Sequence, residues 1–143
     1  MKKVILTLGI AGMLFSGYLS AVKFFSKTCA FGESCPYFFG YPACYYGFTL
    51  FAIITITATL WNFKLIKERV AENILLITSL LGILFAGYFT ARELPTLFGR
   101  GFGVYSLGLP MCALGLIFYV AIFILTLISL LMSKYILNQD RQA

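Results

Sequence analysis

The sequence predicts an all-α membrane protein, a bundle of four transmembrane helices built from two duplicated helical hairpins. Three observations carry this: the apolar content, four apolar segments of spanning length, and two sequence blocks that recur in the second half. Of 143 residues, 61% are hydrophobic and 11% charged, more apolar surface than a soluble domain of this size buries. The segments 4–25, 43–63, 73–91 and 111–133 each cross a hydrocarbon core of roughly 30 Å at about 1.5 Å per helical residue. Each is continuously apolar rather than alternating, which excludes barrel strands.

The first segment follows Met1-Lys2-Lys3, which is also how a secretory signal peptide begins. Ala21 suits the residue before a cut, but Leu19 is large where a small residue is wanted. The recurring blocks decide for a retained helix. Gly12, Gly17, Tyr18 and Ala21 are answered by Gly82, Gly87, Tyr88 and Ala91, in a segment where no signal peptide stands. Both segments carry small residues four apart, Gly12, Ser16 and Ser20 against Gly82, Ala86 and Thr90, a stripe that lets helix backbones approach closely in lipid.

The second block is Gly40-Tyr41-Pro42-Ala43-Cys44-Tyr45-Tyr46-Gly47, written again as Gly108-Leu109-Pro110-Met111-Cys112-Ala113-Leu114-Gly115. Glycine, proline, cysteine and glycine fall at the same four places. The chain thus reads as one domain, 1–143, with a first repeat over about 1–67 and a second over about 68–143. Each unit holds two helices, so the second enters the membrane with the orientation of the first, and the expected symmetry is a twofold along the membrane normal.

Lysine and arginine set the orientation. Lys2, Lys3, Lys64, Lys67, Arg69, Lys134 and Arg141 lie on the side of the termini, against Lys23, Lys27, Arg92 and Arg100 on the other. The bias puts both termini in the cytoplasm of a cell with a cytoplasmic (inner) membrane. The net charge of +6 then reads as a topology signal and contact with anionic membrane lipid, not as a nucleic-acid footprint. Trp61 and Asn62 mark the inner interface. The outer loops are 22–41, a lid along the membrane surface, and 92–109, flexible through Gly99, Gly101 and Gly103; the tail beyond Ser133 is polar and frayed.

All four cysteines fall on the extracytoplasmic side, where disulfides persist. Cys29 and Cys35 lie in the first outer loop, Cys44 and Cys112 at the outer ends of the second and fourth helices. Four cysteines allow three pairings and the sequence does not choose among them. The chain has no histidine, and Glu33, Glu68, Glu72, Glu93 and Asp140 all lie outside the expected spans, which argues against histidine-based catalysis and proton pumping. The gaps of five, eight and sixty-seven residues between cysteines do not suit zinc. The prolines place Cys44 and Cys112 in the first turn of a helix, facing unpaired N–H groups. Two readings stand: reactive thiols, or small packing residues and structural bridges. Cys29 and Cys35 favour the first, since a small exposed disulfide ring exchanges readily.

These residues resemble the vitamin K epoxide reductase and bacterial disulfide-bond formation membrane proteins. Gly40 through Gly47 resembles the start of that family's second helix, and Cys112 through Tyr119 its fourth-helix site. The resemblance implies a thiol–disulfide oxidoreductase that passes electrons from a thioredoxin-fold periplasmic or extracytoplasmic partner to a quinone, ubiquinone or menaquinone. It makes Cys29 and Cys35 the shuttle pair and Tyr119 a quinone contact; beyond the resemblance, Cys44 and Cys112 are read as the quinone-side pair, with Tyr46 and Phe51 lining the pocket beside Tyr119. The chain departs from the family at its fourth-helix Cys-x-x-Cys, which reads Cys112-Ala113-Leu114-Gly115, so either Cys44 supplies the second thiol from across the axis or the chain is an inactive or repurposed relative. A non-catalytic four-span scaffold with structural disulfides and a small-solute transporter are the competing readings.

Overall fold

The computed structural model describes residues 1–27, 37–100 and 111–142. Cys29, Cys35 and Pro110, with the rest of 28–36 and 101–110, lie outside the described residues. Four α-helices carry the fold: α1 (Lys2–Ser26), α2 (Ala43–Asn62), α3 (Glu68–Arg100) and α4 (Met111–Gln142), with a short hairpin of β1 (Tyr37–Phe38) and β2 (Tyr41–Pro42) leading into α2. All four helices are long and apolar enough to cross a membrane. The chain is an integral membrane protein by that criterion, and side chains such as Leu14, Phe24, Leu84 and Leu131, exposed here, face where lipid would be.

α2 begins and ends for local reasons. Pro42 is the extended residue before α2 (φ −62°, ψ 139°), one position earlier than the first helical turn expected of it. At the other end of α2, Lys64 takes a positive φ of 60°; the Leu65 N–H reaches the Leu60 carbonyl at 2.9 Å and the Lys64 N–H that of Trp61 at 3.1 Å. That pair of bonds closes the last turn and lets a five-residue connection (63–67) return the chain as α3.

The last two helices outrun the expected spans. α3 continues through Pro95 to Arg100, over residues whose glycine and proline content suggested a loop; Ala91, Glu93 and Leu94 are good helix formers, and a proline near a helix end removes only one ladder bond. α4 runs to Gln142 where fraying was expected. Gln139 Nε2 donates to the Tyr135 hydroxyl one turn back at 3.1 Å, and the tail's Leu, Lys, Gln and Arg suit a helix.

α1 packs along α2 and α3 along α4, with lesser contacts of α2 on α3 and α1 on α4. The inward stripe of α1 is Ile5, Gly9, Gly12, Ser16 and Leu19; that of α3 is Leu75, Ser79, Gly82, Ala86 and Phe89, at identical spacing. In α2 it is Phe51, Ile54, Ala58 and Trp61, and in α4 Tyr119, Ile122, Thr126 and Ser129, again at identical spacing. Buried hydroxyls bond back to the carbonyl four residues earlier, Ser16 to Gly12, Ser79 to Leu75 and Thr126 to Ile122, which satisfies them where no water is available.

Two residues assigned to the membrane edge are buried instead. Trp61 is 1% exposed, with the Lys2 ammonium 4.8 Å from its ring centroid. Glu72 is also 1% exposed and accepts a hydrogen bond from Ser129 Oγ at 2.9 Å. Hydropathy began the third span at Asn73, but the helix starts at Glu68. Its periodicity puts Glu72 on the inward face, three residues before Leu75, where α4 supplies the donor.

Candidate functional site

The site is built at the end of the bundle where α2 and α4 start. The proline before α2 puts Cys44 at its second residue, and α4 places Cys112 likewise. Ser20 Oγ of α1 donates to the Cys44 carbonyl at 3.3 Å, tying that helix start to its neighbour. The chain enters α2 through the hairpin, whose turn residues Phe39 and Gly40 both take positive φ (50° and 84°). Two consecutive left-handed residues are what a two-residue β-turn with the twist of its strands requires, and Gly40 supplies one without strain. The hairpin lays Phe38 edge-on against Phe85 and Phe89 of α3, at centroid separations of 5.6 and 6.3 Å.

Beneath this end lies a cleft of about 60 Å³, partly open to the surroundings, to which all four helices contribute. Cys44 and Cys112 both line it, each half-buried. Cys44 is a free thiol and so is not bridged to Cys112. One turn below the cysteines are Gly47 and Gly115, also in the lining; a Cβ built on either meets no atom within 4 Å. The glycines therefore leave open space beside both thiols.

Phe51 and Tyr119 form the floor. Their rings stack with centroids 4.3 Å apart and planes 12° from parallel, joining α2 and α4 across the bundle centre. Each ring sits on a glycine of the adjacent helix. A Cβ on Gly12 would come within 2.3 Å of the Phe51 ring, and one on Gly82 within 2.4 Å of Tyr119. The Tyr119 hydroxyl donates to the Gly47 carbonyl at 3.1 Å. That bond gives the phenol a buried partner and presents a polar edge to an otherwise apolar cavity.

Of the residues expected at the site, Cys44, Cys112, Tyr119 and Phe51 come together in this cleft. Tyr46 does not join them. It lines a separate, more open cleft between α2 and α3 together with Leu50, Leu81 and Tyr88, and its hydroxyl donates to the Phe38 carbonyl at 3.3 Å. Cys29 and Cys35 lie outside the described residues. Ser16 and Phe85 are among the lining residues that went unforeseen. Ser16 was read as part of a packing stripe, and only the neighbouring helices reveal that this stripe also walls a cavity. No three of His, Cys, Asp and Glu are grouped for a metal ion among the described residues.

No family model, curated protein or solved structure matches this chain.

Proposed function

We propose that the chain is a membrane thiol–disulfide oxidoreductase that takes electrons from a thioredoxin-fold partner and delivers them to a quinone. The same reading makes it a duplicated pair of hairpins with both termini cytoplasmic and the cysteines outside. The observation that carries it is the shared cleft: two helix-start cysteines, half-buried, over a stacked pair of rings. The identical spacing of the inward stripes in the two halves supports the duplication.

The residues present suit a quinone ring. The lining is dominated by apolar side chains, and Gly47 and Gly115 leave their flanks empty. The enclosed space is about 60 Å³, smaller than usual for a small-molecule site, so a bound ring would also occupy the open side of the cleft. When bound, a quinone would accept two electrons and two protons and become the quinol.

In the proposed cycle a reduced partner gives two electrons to a Cys29–Cys35 disulfide, leaving the partner oxidised and the loop pair as thiols. The loop pair then reduces a Cys44–Cys112 disulfide by thiolate attack and exchange, and is itself reoxidised. A bound quinone would accept the two electrons and two protons that the Cys44 and Cys112 thiols give up as their disulfide re-forms. Phe51 and Tyr119 would help hold the quinone, and the apolar walls would limit water at the thiols.

Disulfide mapping by mass spectrometry, before and after adding a reduced thioredoxin-fold protein and then a soluble quinone, tests this. The loop pair should become reduced on the first addition and reoxidised on the second. Cys44→Ser or Cys112→Ser should abolish reoxidation by quinone while leaving exchange with the partner. Bridges that ignore both additions would mean a scaffold, and full solute transport with all four cysteines replaced by serine would mean a transporter.

A further inference from the structure

At the end of the bundle far from the cysteines, we infer a second site: a groove between the start of α3 and the end of α4 that binds the phosphate headgroup of an anionic phospholipid. It is independent of the redox reading. Arg69 on α3 and Lys134 on α4 line two adjoining cavities, of about 150 and 600 Å³. Arg141, two turns beyond Lys134, lines the larger one.

The groove follows from helical spacing. Leu130, Lys134, Leu137 and Arg141 recur at intervals of three or four along one stripe of α4, and Arg69 and Asn73 lie one turn apart on α3. Because the two helices run antiparallel, both stripes meet at one depth. Three cations therefore converge on one groove, with Asn73 and Asn138 as amide donors. The salt bridge at this end, Lys2 to Glu68 at 2.9 Å, uses none of the three.

Among the described residues, the carboxylate that borders the groove is Glu72, which is turned inward and takes its hydrogen bond from Ser129. The charge offered to a ligand is thus positive. Leu130 and Leu137 add apolar wall beside the cations, the pairing a headgroup with attached acyl chains needs and a free anion does not. Basic pockets between transmembrane helices at the membrane edge bind such headgroups, and arginine suits phosphate through its planar fork of donors.

The test is native mass spectrometry of the full chain in mild detergent, titrated with phosphatidylglycerol, with phosphatidylcholine, and with phosphatidylglycerol in the presence of inorganic phosphate. The wild-type chain should bind one phosphatidylglycerol in clear preference to phosphatidylcholine, and millimolar phosphate should not displace it. Each of Arg69→Gln, Lys134→Gln and Arg141→Gln should weaken binding roughly fivefold, and the triple variant about a hundredfold. Lys3→Gln with Lys64→Gln, exposed at the same end but outside the groove, should leave it unchanged. Circular dichroism checks that the triple variant keeps its helices. Equal binding of the two lipids, equal loss in the control variant, or full displacement by inorganic phosphate would each overturn the proposal.

Discussion

The two halves of the chain bury the same positions and fill them with different chemistry. Along α1 and α3 the inward residues fall at matching places, glycine for glycine at Gly12 and Gly82, and both glycines seat an aromatic ring from the next helix. At the centre the match becomes unequal, with Phe51 in the first half and Tyr119 in the second. Only Tyr119 carries a hydroxyl, and it bonds across the bundle to Gly47. At the far end, Lys2 over Trp61 stands where the second half has Glu72 bonded to Ser129. Small residues that set backbone distance recur in both halves, whereas positions that only need a large or a satisfied side chain differ between them. Geometry at a helix crossing is less forgiving than chemistry.

That contrast is broken most severely at the crossings. Gly12→Ala or Gly82→Ala places a methyl inside the van der Waals envelope of a ring that is itself stacked and buried, so the ring cannot swing aside. Each should cost about 1–3 kcal/mol, read as a loss in the denaturant midpoint in detergent or bicelles. The two should not add, because both act on one stacked pair. If either alanine is tolerated without loss, the glycines are not what fixes the crossings.

A smaller effect sharpens the comparison at the centre. Tyr119→Phe removes the bond to Gly47 and makes the two halves alike, at a cost of about 1 kcal/mol with the ring stack retained. Phe51→Tyr is the converse. Under the proposed twofold relation its hydroxyl should find the Gly115 carbonyl, for a gain of about 0.5 kcal/mol. A large loss there would show that the relation between halves fails at this depth.

Much of this was legible in the sequence, and unevenly. The starts of α2 and α4 were read correctly because proline and glycine mark a helix boundary locally. The pairing of Cys44 and Cys112 in one cleft with Phe51 and Tyr119 was readable because equal spacing in two repeats brings equal positions to the same depth. Tyr46, two residues past Cys44, faces another cleft, since two positions along a helix is over half a turn around it. The inward turn of Glu72 escaped notice because hydropathy averages over a window and registers a carboxylate as an edge. A single donor on another helix, Ser129, decides its burial. The ends of α3 and α4 were missed for a related reason: a glycine- and proline-rich stretch and a polar tail look like loops until helix propensity is weighed residue by residue.

The smallest expected change in stability is also the one that best separates packing from function. Gly47 and Gly115 sit in the fifth position of their helices, and a Cβ on either meets nothing within 4 Å. Alanine there should stabilise the chain by about 0.5–1 kcal/mol, since glycine in a helix surrenders more backbone entropy on folding. The same substitution that damages Gly12 and Gly82 thus carries the opposite sign one helix away. Both new methyls would project into the cleft beside Cys44 and Cys112, so under the redox reading the Gly47→Ala/Gly115→Ala variant gains thermal stability and loses quinone-driven reoxidation of its thiols, while disulfide exchange with the partner persists. A variant that gains stability and reoxidises at the wild-type rate would leave the cleft as empty packing space and move the search for the oxidant elsewhere.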